Sequence, residues 1–201
     1  FRSCRKIPGI DIPDSVVTLG NRAFENCSSI ETVKIGKGVT IIGADVFSDC
    51  DSLLSISVNA DNQHYSSKNG VLFNKRTTLI TYPVGISLEK YIVPVTVTNI
   101  ANGAFRNCIF SEITLPDGLI TIGEKAFDSC AKLETIKLPD SVKAINEHAF
   151  TNCESLFEVT FGKGIESIGR RAFFNCESLK SITLHDGAKT IGASAFYKCT
   201  N

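Results

Sequence analysis

The chain has 201 residues, 43% of them hydrophobic, and its 21 Lys+Arg balance 21 Asp+Glu to leave no formal net charge. This balance argues against nucleic acid or an anionic membrane as a general partner. No apolar run approaches the roughly 20 residues of a membrane span, so no membrane span is expected.

The first elements in chain order already show the organising principle. Phe1 and Cys4 are followed by Phe24 and Cys27, then by Phe47 and Cys50, and after a gap by Phe105 with Cys108, Phe127 with Cys130, Phe150 with Cys153, Phe173 with Cys176 and Phe196 with Cys199. The Cys spacings are 23, 23, 58, 22, 23, 23 and 23. Before each Phe from the second onward stands a small or branched residue (Ala23, Val46, Ala104, Ala126, Ala149, Ala172, Ala195), and five residues before it Leu19, Ile42, Ile100, Ile122, Ile145, Ile168 or Ile191. A repeat of this length cannot bury its own apolar face, so neighbouring repeats must stack and share a core. Phe1 falls inside a partial repeat and no Met occurs, so the sequence reads as a segment truncated at both ends of a longer array.

Within one repeat, Leu133, Ile136 and Leu138 alternate with Thr135 and Lys137 in part and predict a short strand after the Cys. Val142 to Ile145 predicts a second short extended piece. Ala149, Phe150 and Cys153 fall at i, i+1 and i+4, which predicts one helical turn with all three on one face. The expected architecture is an α/β repeat solenoid: a leucine-rich-repeat-like, right-handed curved coil with a parallel sheet of one short strand per repeat of about 23 residues. Residues 1–58 form the first repeats, 59–90 a degenerate repeat with an insertion, and 91–201 the later repeats. The insertion follows from the 58-residue interval, two periods plus 12, and Asn69-Gly70 between polar and apolar runs predicts a β-hairpin there.

The string running from Ile12 to Val33, and again from Leu138 to Val159, with its Ile-Gly-x-x-Ala-Phe-x-x-Cys-x-x-Leu core, resembles the BspA-like (Treponema-type) leucine-rich repeat family. The resemblance covers essentially every residue. It implies a solenoid exported to a bacterial or protist surface, and some members of the family are associated with binding host matrix or plasma proteins and with adhesion. Departures occur where Gly36, Gly162 and His185 replace the usual Pro, and Ala101 and Asn146 the usual Gly. Ala at that last position argues that close chain approach, rather than positive φ, is what Gly supplies.

Residues that could carry chemistry have simpler readings. One Cys per coil places neighbouring thiols about 4.8 Å apart with parallel side-chain directions, whereas a disulfide needs converging Cβ atoms near 3.8 Å. Buried free thiols acting as small hydrophobes are expected, and neither a metal nor another cofactor. Cys153→Ser should then destabilise the fold by burying a hydroxyl without a partner. His64, His148 and His185 lie in three different contexts of the repeat and read as surface or loop residues. Asn59, Asp61 and Asn62 read as turn chemistry, Gly36-Lys37-Gly38 and Gly162-Lys163-Gly164 as bends, and Asn26-Cys27-Ser28 as an unoccupied sequon.

What remains is a surface. Thr32 and Lys34, Ser55 and Ser57, Lys90 and Ile92, Glu112 and Thr114, Thr135 and Lys137, Glu158 and Thr160, and Ser181 and Thr183 alternate outward along the strands after each Cys. These rows are the candidate face for a protein partner, by resemblance a host extracellular matrix or plasma protein, in a secreted or cell-surface, non-enzymatic protein. A structural spacer or a carbohydrate-binding module is the alternative. Thiol titration under denaturing, non-reducing conditions is expected to find all eight Cys reactive; four or fewer would mean bridged cysteines.

Overall fold

The computed structural model describes residues 1–75 and 77–200. They fall into two compact units, Phe1–Ile86 and Ser87–Asn201. In the first, β1 (Gly9–Ile12), β3 (Thr32–Ile35) and β5 (Ser55–Val58) pair in parallel, one strand per coil, and β2 (Thr18–Leu19) pairs with β4 (Ile41–Ile42) in a second, narrower sheet. Their register is the repeat length: Val33 lies beside Ile10 and Ile56.

The insertion closes this unit. β6 (Tyr65–Lys68), β7 (Val71–Asn74) and β8 (Thr78–Thr81) form an antiparallel meander, with Asn69 (φ 51°) and Gly70 (φ 81°) making the expected tight turn. Its turn takes the place of another coil: the Ile56 amide donates to the Gly70 carbonyl at 2.8 Å and the Val58 amide to Ser67 Oγ at 3.0 Å. Similarly, the Ile42 amide donates to the Tyr65 hydroxyl at 2.9 Å. The excursion is anchored by Asn62, which is fully buried. Its Nδ2 donates to the carbonyls of Gly36 and Val39, both at 3.0 Å, while its Oδ1 accepts from the amides of His64 and Tyr65.

In the second unit, β9 (Lys90–Ile92), β11 (Glu112–Thr114), β13 (Thr135–Lys137) and β15 (Glu158–Thr160) form one parallel sheet. The two-residue strands β10 (Asn99–Ile100), β12 (Thr121–Ile122), β14 (Ala144–Ile145), β16 (Ser167–Ile168) and β17 (Thr190–Ile191) form another. Each regular repeat thus contributes two short strands rather than one. The strand expected at Ser181–Thr183 is not formed, and β15 is the last strand of its sheet.

The expected helical turns are also absent: no helix occurs among the described residues. Ala149, Phe150 and Cys153 do face the core, all fully buried, but through a chain of tight turns. The reason lies in two left-handed residues per turn, His148 at φ 56° and Asn152 at φ 58°. The same two places are left-handed at Arg22 and Asn26, Asp45 and Asp49, Gly103 and Asn107, Lys125 and Ser129, Arg171 and Asn175, and Ser194 and Lys198. A right-handed helix cannot pass through such residues. The gain is intercoil bonding: the amides of His148, Phe150 and Asn152 donate to the carbonyls of Arg170, Ala172 and Phe174 at 3.0, 2.7 and 2.9 Å, while the amides between them bond within their own turn.

The core is built on this scaffold. Phe105, Phe127, Phe150, Phe173 and Phe196 stack nearly parallel, with successive centroids 5.0, 4.9, 4.9 and 5.3 Å apart. Phe1, Phe24 and Phe47 do the same in the first unit. From Phe105 to Phe173 the distances match the spacing of neighbouring strands, so backbone pairing sets the ring separation there. Glycine serves close approach, as expected: a Cβ on Gly169 would lie 2.6 Å from backbone atoms of Asn146 and Glu147, and its φ is not positive.

All eight cysteines are free thiols. The expectation that a hydroxyl at Cys153 would lack a partner is overturned. Cys153 Sγ donates to the Phe127 carbonyl at 3.2 Å, and Cys27, Cys50, Cys130, Cys176 and Cys199 make the same bond to the Phe of the preceding coil. Burial pushes the Cys50 thiol up to about 12 and raises those of Cys108, Cys130 and Cys153, so they stay protonated and unreactive at neutral pH.

Two outcomes follow from these contacts. Cys153→Ser should cost only about 1 kcal/mol, because the hydroxyl inherits the thiol's acceptor. Asn62→Asp should cost about 3 kcal/mol or more, since a buried carboxylate oxygen would face two carbonyls in place of the amide donor. Both are measurable by urea unfolding.

Candidate functional site

The strand face is built by alternation. In β3 and β5 the core side takes Val33, Ile35 and Ile56, leaving Thr32, Lys34 and Ser57 exposed and Ser55 half-buried. In the second unit Ile113, Ile136 and Val159 are buried, while Glu112, Thr114, Lys137, Glu158 and Thr160 are exposed and Thr135 is half-buried. Because the strands are parallel and in register, these side chains form rows across coils: Thr32 beside Ser55 and Lys34 beside Ser57 in one unit, Lys90, Glu112, Thr135 and Glu158 in succession in the other.

The rows are wider than the sequence suggested. β1 adds Gly9 and Asp11, paired in register with Thr32 and Lys34. Asp11 takes the Lys34 ammonium at 3.1 Å. This coil carries an incomplete motif, and only the register reveals that Asp11 belongs to the face. Lys90 and Glu112 make the corresponding pair in the second unit at 2.8 Å, and hydrogen bonding to that carboxylate raises the Lys90 pKa. All four groups are well exposed, so solvent screening leaves each pair little effect on stability.

Two shallow depressions lie on these faces. One, of about 320 Å³, is lined by Asp11, Asp14, Lys34, Ser57 and Asn59 among others. The other, of about 550 Å³, brings together Glu158, Thr160, Ser181 and Thr183 with Phe157 and Lys180. It exists because Ser181–Thr183 does not pair with β15. At its ends the segment is held by the Lys180 amide on the Phe157 carbonyl at 3.4 Å and by His185 Nε2 on the Phe161 carbonyl at 3.2 Å. Lys180 also lies over the Phe157 ring, 5.5 Å from its centroid. Thr32, Ser55, Glu112, Thr114, Thr135 and Lys137 line neither depression and stand on the open parts of the sheets.

Among the described residues, no nucleophile is placed beside a base on this face. His148, on a turn segment, contacts Thr151 Oγ1 through Nδ1 at 3.2 Å. Burial and then the charge of Arg170 lower its pKa. The Gly36-Lys37-Gly38 and Gly162-Lys163-Gly164 bends are closed by acids of the preceding coil: the Lys37 amide donates to Asp14 and the Lys163 amide to Asp140, both at 2.8 Å.

Comparison with known proteins fits this geometry. The profile of the BspA type leucine rich repeat region matches residues 1–84 and 84–201, with six copies. Among solved structures, the pneumococcal vaccine antigen PcpA aligns over 94% of the chain at 25% identity with a TM-score of 0.81. A leucine-rich repeat protein from Bacteroides ovatus aligns over 99% at 30% identity with a TM-score of 0.67. A leucine rich cell surface protein from Faecalibacterium prausnitzii, 22% identical over 95% with a TM-score of 0.63, shares the fold. The chain spans 54%, 49% and 61% of those three proteins respectively. A search among curated proteins finds no match. By its repeat, its core and the match along its whole length, the chain belongs to the BspA-type leucine-rich repeat family.

Proposed function

We propose that this chain is a non-enzymatic protein-binding module of a secreted or cell-surface protein, which engages an extracellular protein partner through the exposed strand face. The observation that carries this reading is the register of that face. Polar side chains repeat across coils at strand spacing, so an extended or flat partner meets several coils with equivalent groups. The similarity to a pneumococcal antigen and to a cell surface protein supports the location, and the family resemblance supports host matrix or plasma proteins as the class of partner.

The face is rich in Ser, Thr and paired charges and holds no cluster of Trp, Tyr or Arg, so affinity per module should be modest. Repetition of the face across an array would raise it by multivalency. A spacer role makes the opposite demand, that no substitution on this face affects any partner.

The test begins with capture of host extracellular proteins on the immobilised chain and proceeds with the purified partner. Lys34→Glu, Lys137→Glu and Glu158→Lys together should weaken binding about tenfold, chiefly through charge complementarity. Reversal of Lys143, Glu166 and Lys189 serves as the control. These three form an exposed ladder, with Lys143 and Lys189 at 4.0 and 2.7 Å from Glu166, and simultaneous reversal preserves its alternation. Circular dichroism should show both variants folded, as exposed substitutions usually change stability by only about 0.5 kcal/mol. Loss of binding in the control alone would place the site on that ladder, and loss in neither would favour the spacer.

A further inference from the structure

The last regular coil of the first unit ends in two strand edges, and one hairpin answers both. β5 is the edge strand of its sheet, and β4 has β2 as its one neighbour. Along a strand, successive amides point to opposite edges. In β5 and just beyond it, the amides of Ser55 and Asn59 point back to the carbonyls of Glu31 and Ile35, at 3.2 and 2.9 Å. Those of Ile56 and Val58 therefore point forward. In and after β4 the Ile41 and Gly43 amides point back to Val17 and Leu19, leaving the Ile42 amide forward. In the second unit such an amide meets the strand of the next coil, as Leu138 meets the Thr160 carbonyl at 2.8 Å. Here the three forward amides meet the Gly70 carbonyl, the Ser67 hydroxyl and the Tyr65 hydroxyl instead.

Two of these three acceptors are side chains. Tyr65 and Ser67 stand two residues apart on β6 and so share a face. The Tyr65 hydroxyl also donates to the Thr40 carbonyl at 3.4 Å, so it occupies a donor and an acceptor of the same edge. β6 is already paired with β7 through its backbone, and these hydroxyls are surplus to the hairpin's own bonding. What the edge would otherwise take is set by the repeat. β3 pairs in parallel and in register with β1 on one side and with β5 on the other, so repeat strands of this chain are interchangeable partners. Every further copy of the chain carries such strands, and an open edge recruits them. We propose that the meander is an edge guard: Tyr65, Ser67 and Gly70 occupy the forward amides and keep a repeat strand of a second copy of this chain from adding to β5. Asn62 fastens the guard through the carbonyls of Gly36 and Val39.

This proposal is independent of the strand-face reading, since it uses strand edges and the meander alone. The test compares the full chain with its Tyr65→Phe/Ser67→Ala variant, which keeps the Tyr65 ring and every backbone bond. Hydrogen exchange at the Ile42 and Val58 amides should quicken about tenfold in the variant, while exchange at Ile136 in the second unit stays the same. The probe for strand addition is a fluorescein-labelled peptide copying Glu31–Gly36, followed by anisotropy. It should bind the variant at least about tenfold more tightly than the unsubstituted chain, and a peptide with Val33→Pro should not bind. Light scattering should show the variant associating at concentrations where the unsubstituted chain does not, and excess peptide should reverse this. Asn62→Ala, which loosens the fastening, should also admit the peptide; if it fails to fold, the double variant decides. Leu133→Ala, in the core of the second unit, is the control for general destabilisation and should not admit it. Unchanged exchange, equal peptide affinity for variant and unsubstituted chain, binding of the proline peptide, or binding by Leu133→Ala overturns the proposal.

Discussion

Backbone hydrogen bonding between successive coils is the constraint from which the rest of each unit follows. It operates at the strands, where parallel pairing sets the register, and equally at the turns, where alternate amides reach the neighbouring coil. The turns can do this only because two residues in each adopt left-handed φ, a conformation that costs an L-residue roughly 1–2 kcal/mol. The bonds this conformation directs along the stack offset that cost. A helical turn would have spent the same amides within itself and left the coils to meet through side chains alone.

Side-chain chemistry is then selected by the coil spacing. Rings of adjacent coils must lie nearly face to face at about the strand separation, and the core Phe ladder does so. The cysteine beside it is small enough for the site and supplies a weak donor aimed at the preceding Phe carbonyl, a carbonyl that in the coil of Phe127 also accepts the Cys130 amide. The thiol is therefore a packing group with a hydrogen bond, and burial keeps it from reacting. Glycine at the place held by Gly169 meets the same spacing from the backbone side.

The surface inherits this regularity, and function is to be sought where it is used or broken. Along the strand faces, residues one repeat apart become neighbours, as Lys34 and Asp11 do, so exposed groups can be varied coil by coil without disturbing the core. Breaks occur where the meander replaces a coil beside β5 and where Ser181–Thr183 stays unpaired beside β15, opening a depression between polar side chains and Phe157. Surface ion pairs add little to stability at these exposures.

The sequence by itself determined the period, the core positions, the side-to-side alternation of the strands and the hairpin turn at Asn69-Gly70. Each of these is a local pattern or a repeated identity, and repetition makes a buried position recognisable without knowing what it touches. Only the tertiary structure decided the remainder. Ala149, Phe150 and Cys153 have helical spacing, but a short turn takes its conformation from the bonds available to it, and those lie 20 or more residues away in the next coil. The recurrence of Asn, Asp or Ser just before Cys27, Cys50, Cys108, Cys130, Cys153 and Cys176 was the signal for left-handed backbone, since these residues tolerate it best. Asn62 read as an ordinary turn residue, and its bonds from the His64 and Tyr65 amides are of that kind, but its donors reach the Gly36 and Val39 carbonyls more than 20 residues away in the preceding coil. The membership of Asp11 in the strand face was hidden for the same reason. It rests on a contact between coils, and which side chains meet there depends on the register that backbone pairing imposes.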